Sequence, residues 1–360
     1  MKRVVLVALV SVMFATGAIG QEAFGVNWET ATPQELQSRF TSGFDVTRRD
    51  EWGQTPLIWA ASFNSNADVI RSLLDAGADP TVRFERYGWT PLMYAAMDNT
   101  NADVIQTLID AGASLSARDV DGRTPLMHAA ESNSNPDVIR TLVDAGADMS
   151  ARSSWGFTPL IYAAIDTSNP DVIRALVEAG AEVRTRDEYG WTPLMYAAMD
   201  NTNANVIRAL LRAGADVHAR DIEGRTPLVH ATGILDSNPD VIRVLLEAGA
   251  NVNVRDQHGR TPLMRAAAFS DSSNAIQALL AAGADISART EGTQAEGGWT
   301  TLMLAARYSA NSDAIRVLLE AGADTTARND SGETAWDLIQ QNEDLKGTEA
   351  YWELNDRRFE

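Results

Sequence analysis

DEYGWTPLMYAAMDNTNANVIRALLRAGADVHARD, from Asp187 to Asp221, is one complete unit of a chain of 360 residues. Thr192 is a good helix N-cap, because its hydroxyl can accept from a free N–H of the first turn, and Pro193 suits the first helical position, where no N–H is needed. A short helix therefore starts there. Leu194 and Met195 supply apolar contact, while the nearly bare Ala197 and Ala198 let a neighbouring helix come close. A second helix begins after Asn203, with Val206, Ile207, Leu210 and Leu211 on one face. Gly214 stops it, since glycine takes positive φ freely. From Ala215 to Gly224 the chain reads as an extended, turn-rich connection to the next unit.

The opening Gly-x-Thr-Pro-Leu pattern returns at Gly53, Gly88, Gly122, Gly156, Gly190, Gly224 and Gly259, with degenerate copies at Gly298 and Gly332. The intervals are 35, 34, 34, 34, 34, 35, 39 and 34 residues. In sibling units the second helix opens on Asn135-Pro136-Asp137 or Asn169-Pro170-Asp171, which sets an acid at the positive helix end. A helix pair of this size cannot bury its own apolar face, so each unit has to stack on its neighbours, and stability is collective.

Gly-x-Thr-Pro-Leu starts, Ala-Ala pairs, Val-Ile-x-x-Leu-Leu helices and Ala-Gly-Ala-Asp ends together resemble the ankyrin-repeat family, from about Thr32 to Leu345. The resemblance implies an all-α solenoid of helix-turn-helix units with hairpin-like loops, about eight full repeats plus terminal caps. Two features depart from it. The family's His after Thr-Pro-Leu is replaced by Ile58, Met93, Met127, Ile161, Met195, Val229, Met264 or Met303, which predicts apolar packing where polar contacts between repeats would stand. The turn between helices is longer and Asn-rich, as in Asn99-Thr100-Asn101.

The predicted organisation is a signal peptide over 1–20, a loose leader over 21–31, a capping partial repeat over 32–52, repeats over 53–331, and a capping repeat with a tail over 332–360. Leu36 and Phe40 are expected to cover the open core at one end, and Tyr351, Trp352 and Leu354 at the other. Lys2, Arg3, an apolar run from Val4 to Phe14 and the small residues ending at Ala18-Ile19-Gly20 have the layout of a secretory signal cleaved after Gly20. An uncleaved anchor is the alternative, although the run is short against the roughly 20 residues a membrane span needs. The absence of cysteine excludes a disulfide framework. A periplasmic or secreted protein follows, with no membrane insertion after cleavage.

A formal net charge of −19 argues against nucleic acid and anionic lipid as partners, since both would be repelled over most of the surface. The basic residues are almost all arginine, which genomic base composition accounts for as readily as chemistry. Tyr87 to Ala102 and Tyr189 to Ala204 are identical over 16 residues, so a three-repeat block is inferred to have been duplicated. By the family resemblance, residues beside the unit glycine lie at hairpin tips on a concave side where partners are contacted. Those sites carry Trp52, Tyr87, Trp89, Trp155, Phe157, Tyr189, Trp191 and Trp299. Aromatic anchors bury much area with few rotors to freeze; the opposing expectation is that neighbouring tips stack on one another. Arg123, Arg225 and Arg260 occupy the interleaved tips and are expected to pair with Asp and Glu of adjacent loops. Insertions at Gly233–Asp236 and Thr290–Gly297 read first as tolerated insertions and second as candidates for specificity.

No catalytic constellation emerges. The histidines at 128, 218, 230 and 258 are too scattered for a helical metal pair, and His128 and His230 fill the slot that Tyr94, Tyr162 and Tyr196 take elsewhere. The periodic acids Asp68, Asp103, Asp137, Asp171 and Asp240 read as helix-start residues. No cofactor and no metal are expected. The function predicted is a non-enzymatic protein-binding scaffold, with a glycan-binding array of aromatic tips as the alternative and an enzyme site near the 290s loop as the third.

Overall fold

The structure, a computed structural model, describes residues 23–233, 237–270, 273–291 and 297–357. The signal segment, and most of both insertions, lie outside the described residues. The chain divides between Glu182 and Val183 into two compact units. The first contains a 3₁₀ turn at Ala23–Gly25, then α1 Pro33–Thr41, α2 Pro56–Phe63, α3 Ala67–Asp75, α4 Pro91–Asp98, α5 Ala102–Asp110, α6 Pro125–Ser132, α7 Pro136–Asp144, α8 Pro159–Asp166 and α9 Pro170–Glu178. The second contains α10 Pro193–Asp200, α11 Ala204–Arg212, α12 Pro227–Thr232, α13 Pro239–Glu247, α14 Pro262–Phe269, α15 Ser273–Ala281, α16 Thr301–Tyr308, α17 Ser312–Glu320, α18 Ala335–Ile339 and α19 Glu349–Arg357. Outside helices, ladder pairing among the described residues is confined to an isolated antiparallel bridge between Arg289 and Thr300.

Helix starts follow the sequence chemistry. Thr192 Oγ1 accepts from Met195 N, and Asn203 Oδ1 accepts from Asn205 N at the head of α11. Within each unit, first helices pack on first helices and second on second. Ala197, Val206, Ile207 and Leu210 are fully buried, whereas Leu211 is half-buried. The methionine after Thr-Pro-Leu does more than pack: Met93 Sδ lies 3.4 Å from Thr90 N and takes its hydrogen bond.

The Asn-rich turns carry the lateral polar contacts. Asn64 Nδ2 donates to Trp28 O at 2.8 Å and Ala31 O at 3.0 Å, Asn99 Nδ2 to Asn64 O at 2.8 Å, and Asn133 Nδ2 to Ala96 O at 2.9 Å and Asn99 O at 2.8 Å. Each asparagine satisfies buried carbonyls of the repeat before it. Asn133→Ala leaves those carbonyls bare, and the expected loss is about 1–3 kcal/mol in urea denaturation.

A second ladder runs through arginines. Arg118 Nη1 donates to Gly122 O and to Arg152 O, both at 2.7 Å. Arg83, Arg186, Arg220, Arg255 and Arg289 repeat the arrangement, each bridging its own tip and the carbonyl one repeat on. Arginine usage therefore has a structural cause at these positions.

Both ends differ from expectation. Residues from Ala23 onward are packed rather than a loose leader: Val26 and Trp28 are fully buried and Ala31 nearly so. This stretch takes the place of the first helix that the opening repeat lacks and covers α2. Leu36 is fully buried, while Phe40 is only half-buried. At the other end Leu354 is buried, but Trp352 is 56% exposed and closes nothing. Tyr351 instead meets Trp336, ring centroids 4.8 Å apart.

Candidate interaction surface

Each tip is a tight reversal closed by its own backbone. In one, Asp119 N donates to Arg123 O and Gly122 N to Asp119 O, both at 3.0 Å, while Asp119 Oδ1 accepts from Asp121 N and Arg123 N. Gly122 has φ +73°, and a Cβ there would stand 3.0 Å from Ser154 N, so glycine is required twice over. One backbone bond joins that tip to its neighbour, from Ser154 N to Asp121 O at 2.8 Å. Val120 N to Tyr87 O, Ile222 N to Tyr189 O and Gln257 N to Glu223 O repeat it.

The two arms of a tip face different ways. The residue after the glycine turns inward onto the first helix. Trp89 is buried in a cluster with Ile58, Phe84, Met93 and Tyr94, Phe157 and Trp299 are buried, and Trp191 is half-buried with its ring 4.1 Å from that of His230. The residue before the glycine turns outward: Trp52 is 38% exposed, Trp155 39% and Tyr189 55%. Tyr87 is half-buried against Phe84 and Trp89. Trp89, Phe157 and Trp299 thus leave the expected contact set, because packing has already used their surface. Val120 and Ile222, 64% and 66% exposed, were missed. They stand two residues before the glycine, where Glu51, Arg86, Ser154, Glu188 and Gln257 stand in siblings, and that break in a polar slot is the signal the sequence offers.

The tips are tied to the first helices by acids in their first position. Asp50 Oδ2 accepts from Trp59 Nε1 at 2.7 Å, Asp187 Oδ2 from Tyr196 Oη at 2.6 Å, and Asp119 and Asp221 pair with His128 and His230, each at 3.0 Å. A carboxylate only accepts, so each imidazole donates its Nε2–H. Although burial pushes Asp119 up, the hydrogen bond and charge of His128, with the Arg123 N–H and guanidinium, hold its pKa below the ordinary value. Arg123 pairs with Glu131 at 2.7 Å, and Arg225 with Asp221 and Glu223. Both histidines and both arginines pair with carboxylates within the fold, while the buried His128 Nδ1 and Arg123 Nε have no hydrogen-bond partner. Among the described residues no cluster of three His, Asp or Glu is placed to hold a metal ion, and no helix is long and apolar enough to cross a membrane.

Paired short helices, glycine tips and lateral stacking define a helix-pair repeat protein. A family profile described as Ankyrin repeats (3 copies) matches residues 33–119, 85–153, 126–221, 160–256, 200–290 and 238–329, and the chain belongs to the ankyrin-repeat family. It is an ankyrin solenoid of about eight repeats, and ankyrin repeats mark a protein–protein interaction scaffold. The crystal structure of the ankyrin repeat domain of Bcl-3, titled a unique member of the IkappaB protein family, matches with 30% identity and a TM-score of 0.50, covering 64% of this chain and 100% of that one. No curated protein matches the chain.

Proposed function

We propose that this protein is a non-enzymatic scaffold outside the cytoplasm, gripping a protein partner through its hairpin tips and the first-helix face they border. The observation that carries this is the retention of exposed apolar side chains at the tips, Trp52, Val120 and Trp155 in one unit and Tyr189 and Ile222 in the other, which make up five of the eight large apolar residues left exposed among the described residues. Large exposed apolar residues held on a rigid frame are what a partner desolvates with little ordering cost. Export is supported by Lys2-Arg3, the Val4–Phe14 run and the small residues before Gln21. A glycan partner has weaker support, because the ring row is interrupted: Tyr87 is half-buried and the next tip offers Val120 instead of a ring.

The test is a crosslinking capture from the native envelope with wild type and a Trp52→Ser, Trp155→Ser, Tyr189→Ser triple variant. These side chains are outward, so far-UV circular dichroism and the unfolding midpoint should stay close to wild type. The expected result is a partner captured by wild type and reduced about tenfold or more in the variant, matching loss of central aromatic anchors. Undiminished capture places the contact surface elsewhere, and capture of wall glycan instead of protein overturns the choice of partner.

A further inference from the structure

Between α14 and α16 lies a cavity of about 210 Å³ lined by Arg260, Met264, Arg265, Ala268, Phe269, Leu304 and Tyr308. Its origin is visible by comparison with sibling repeats. The slot of Arg265 holds Trp59, His128, Tyr196 and His230 elsewhere, each hydrogen-bonded to the tip aspartate at 2.6–3.0 Å. In this repeat the pair has opened, with Arg265 Nη1 standing 3.7 Å from Asp256 Oδ2. Asp256 Oδ1 is committed to the tip, accepting from His258 N and Arg260 N at 2.9 Å. The guanidinium is only 18% exposed, and its buried Nε has no hydrogen-bond partner.

Two small residues make the room. Ala268 stands where siblings carry Met97, Ile165 and Met199, and Gly233 takes the same slot one repeat earlier. A Cβ on Gly233 would come within 2.7 Å of Arg265 Nη2. The next slot on the first helix, acidic at Asp98, Asp166 and Asp200, is aromatic here: Phe269 is 39% and Tyr308 46% exposed. Tyr308 stacks on Trp299 at 5.9 Å, which fixes its ring, and Arg265 lies over the Phe269 ring at 5.9 Å. A chain of net charge −19 thus presents a recessed cation between apolar rims.

We propose that this cavity is an anchor pocket for a carboxylate flanked by apolar side chains on a protein partner, with Arg265 as the group that receives it. The proposal rests on the scaffold reading above and assigns it a specific contact. A guanidinium with unused donors is the matching fork for a carboxylate, and the surrounding rings exclude water from the pair. Burial lowers the pKa of Arg265, and the charges of Arg225 and Arg260 push the same way against Asp256 and Glu223; an incoming anion relieves that crowding. The cavity is smaller than the roughly 300 Å³ at which drug-sized ligand sites begin, and suits a single side chain or chain terminus.

The experiment uses the full chain and dye-labelled octapeptides read by fluorescence anisotropy. One is amidated with a glutamate between two leucines, a second has glutamine instead, and a third is the glutamine peptide with a free carboxy terminus after a leucine. Wild type is expected to bind a carboxylate peptide about tenfold tighter than the amidated glutamine peptide. Preference for the first assigns an acidic side chain, and preference for the third a chain terminus. Arg265→Tyr copies the Tyr196 pair and Ala268→Met copies Met97, so both should fold, which thermal melting checks. Each is expected to abolish the discrimination, one by removing the charge and the other by filling the cavity. Equal binding of all peptides to wild type, or discrimination intact in either folded variant, overturns the pocket. A partner captured equally by wild type and Arg265→Tyr overturns the pocket while leaving the scaffold reading; peptide discrimination by a protein that captures no partner upholds the pocket and sinks the scaffold reading.

Discussion

Replacing Trp28 by alanine is expected to cost about 3–5 kcal/mol, the range for deleting a fully buried large aromatic. Trp28 has no exposed surface, its Nε1 donates to Ala23 O at 3.0 Å, and its carbonyl accepts from Asn64 Nδ2 at 2.8 Å. It lies in the stretch that stands in for a missing helix, so removal uncaps α2 as well as leaving a void. In a stack where each repeat leans on its neighbours, the damage should decay along the array. Native-state hydrogen exchange is therefore the sharper readout: amides of α2 and α3 should lose protection, while those of α6 and α7 keep most of theirs. Uniform loss across the first unit would show that the cap acts on its global stability, and no loss in α2 would show that the N-terminal stretch is dispensable.

The repeat was legible because its signals are local and redundant: Thr-Pro starts, Asn caps and positive-φ glycines each dictate one step of the chain, and the copies agree in phase. What stayed hidden depended on the neighbour. Trp28 sits in no repeat and has no pattern to reveal it, so burial against the adjacent unit could not be read from composition. Trp89 and Trp52 look equivalent as residues beside a glycine, yet the two arms of a tight reversal point oppositely, and only the fold says which arm meets the first helix. The arginine ladder was written in plain view at a 34-residue period, as at Arg118, Arg152 and Arg186. Its partners are backbone carbonyls one repeat away, which no side-chain motif announces. Arg265 has the sequence position of a packing slot that His128 and Tyr196 fill elsewhere, and only the opened distance of 3.7 Å to Asp256 distinguishes it.

Asp221→Ala should be comparably severe, about 3–5 kcal/mol, because it strips an ion-pair network of its buried acceptor and leaves Arg225 only the more exposed Glu223. The side chain has no exposed surface. Its Oδ1 accepts from Glu223 N at 2.9 Å and Arg225 N at 2.8 Å, and its Oδ2 from Arg225 Nε at 2.8 Å and His230 Nε2 at 3.0 Å. Burial would raise its pKa, but those bonds from His230 and Arg225 outweigh it and hold the carboxyl well below its ordinary 3.8. Burial lowers His230 below its ordinary 6.5, with Arg225 and Arg265 adding to the shift and Asp221 only partly offsetting it. Both shifts are downward and act in the same sense. Above about pH 6.5 the pair contributes fully; below it the unfolded histidine takes up a proton that the folded one resists, and stability falls. A second decline begins below about pH 4, where the unfolded carboxyl is protonated before the folded one. In Asp221→Ala that second decline should shrink while the histidine-linked one persists, since the offsetting carboxylate is gone. Asp221→Asn keeps an oxygen for the two tip N–H groups and should cost less, about 1–3 kcal/mol. Urea midpoints for the three proteins at about pH 7.5, 5.5 and 3.5 separate these contributions. If alanine and asparagine prove equally costly, the carboxylate's charge and its bonds to His230 and Arg225 carry the effect, and the tip N–H bonds add little.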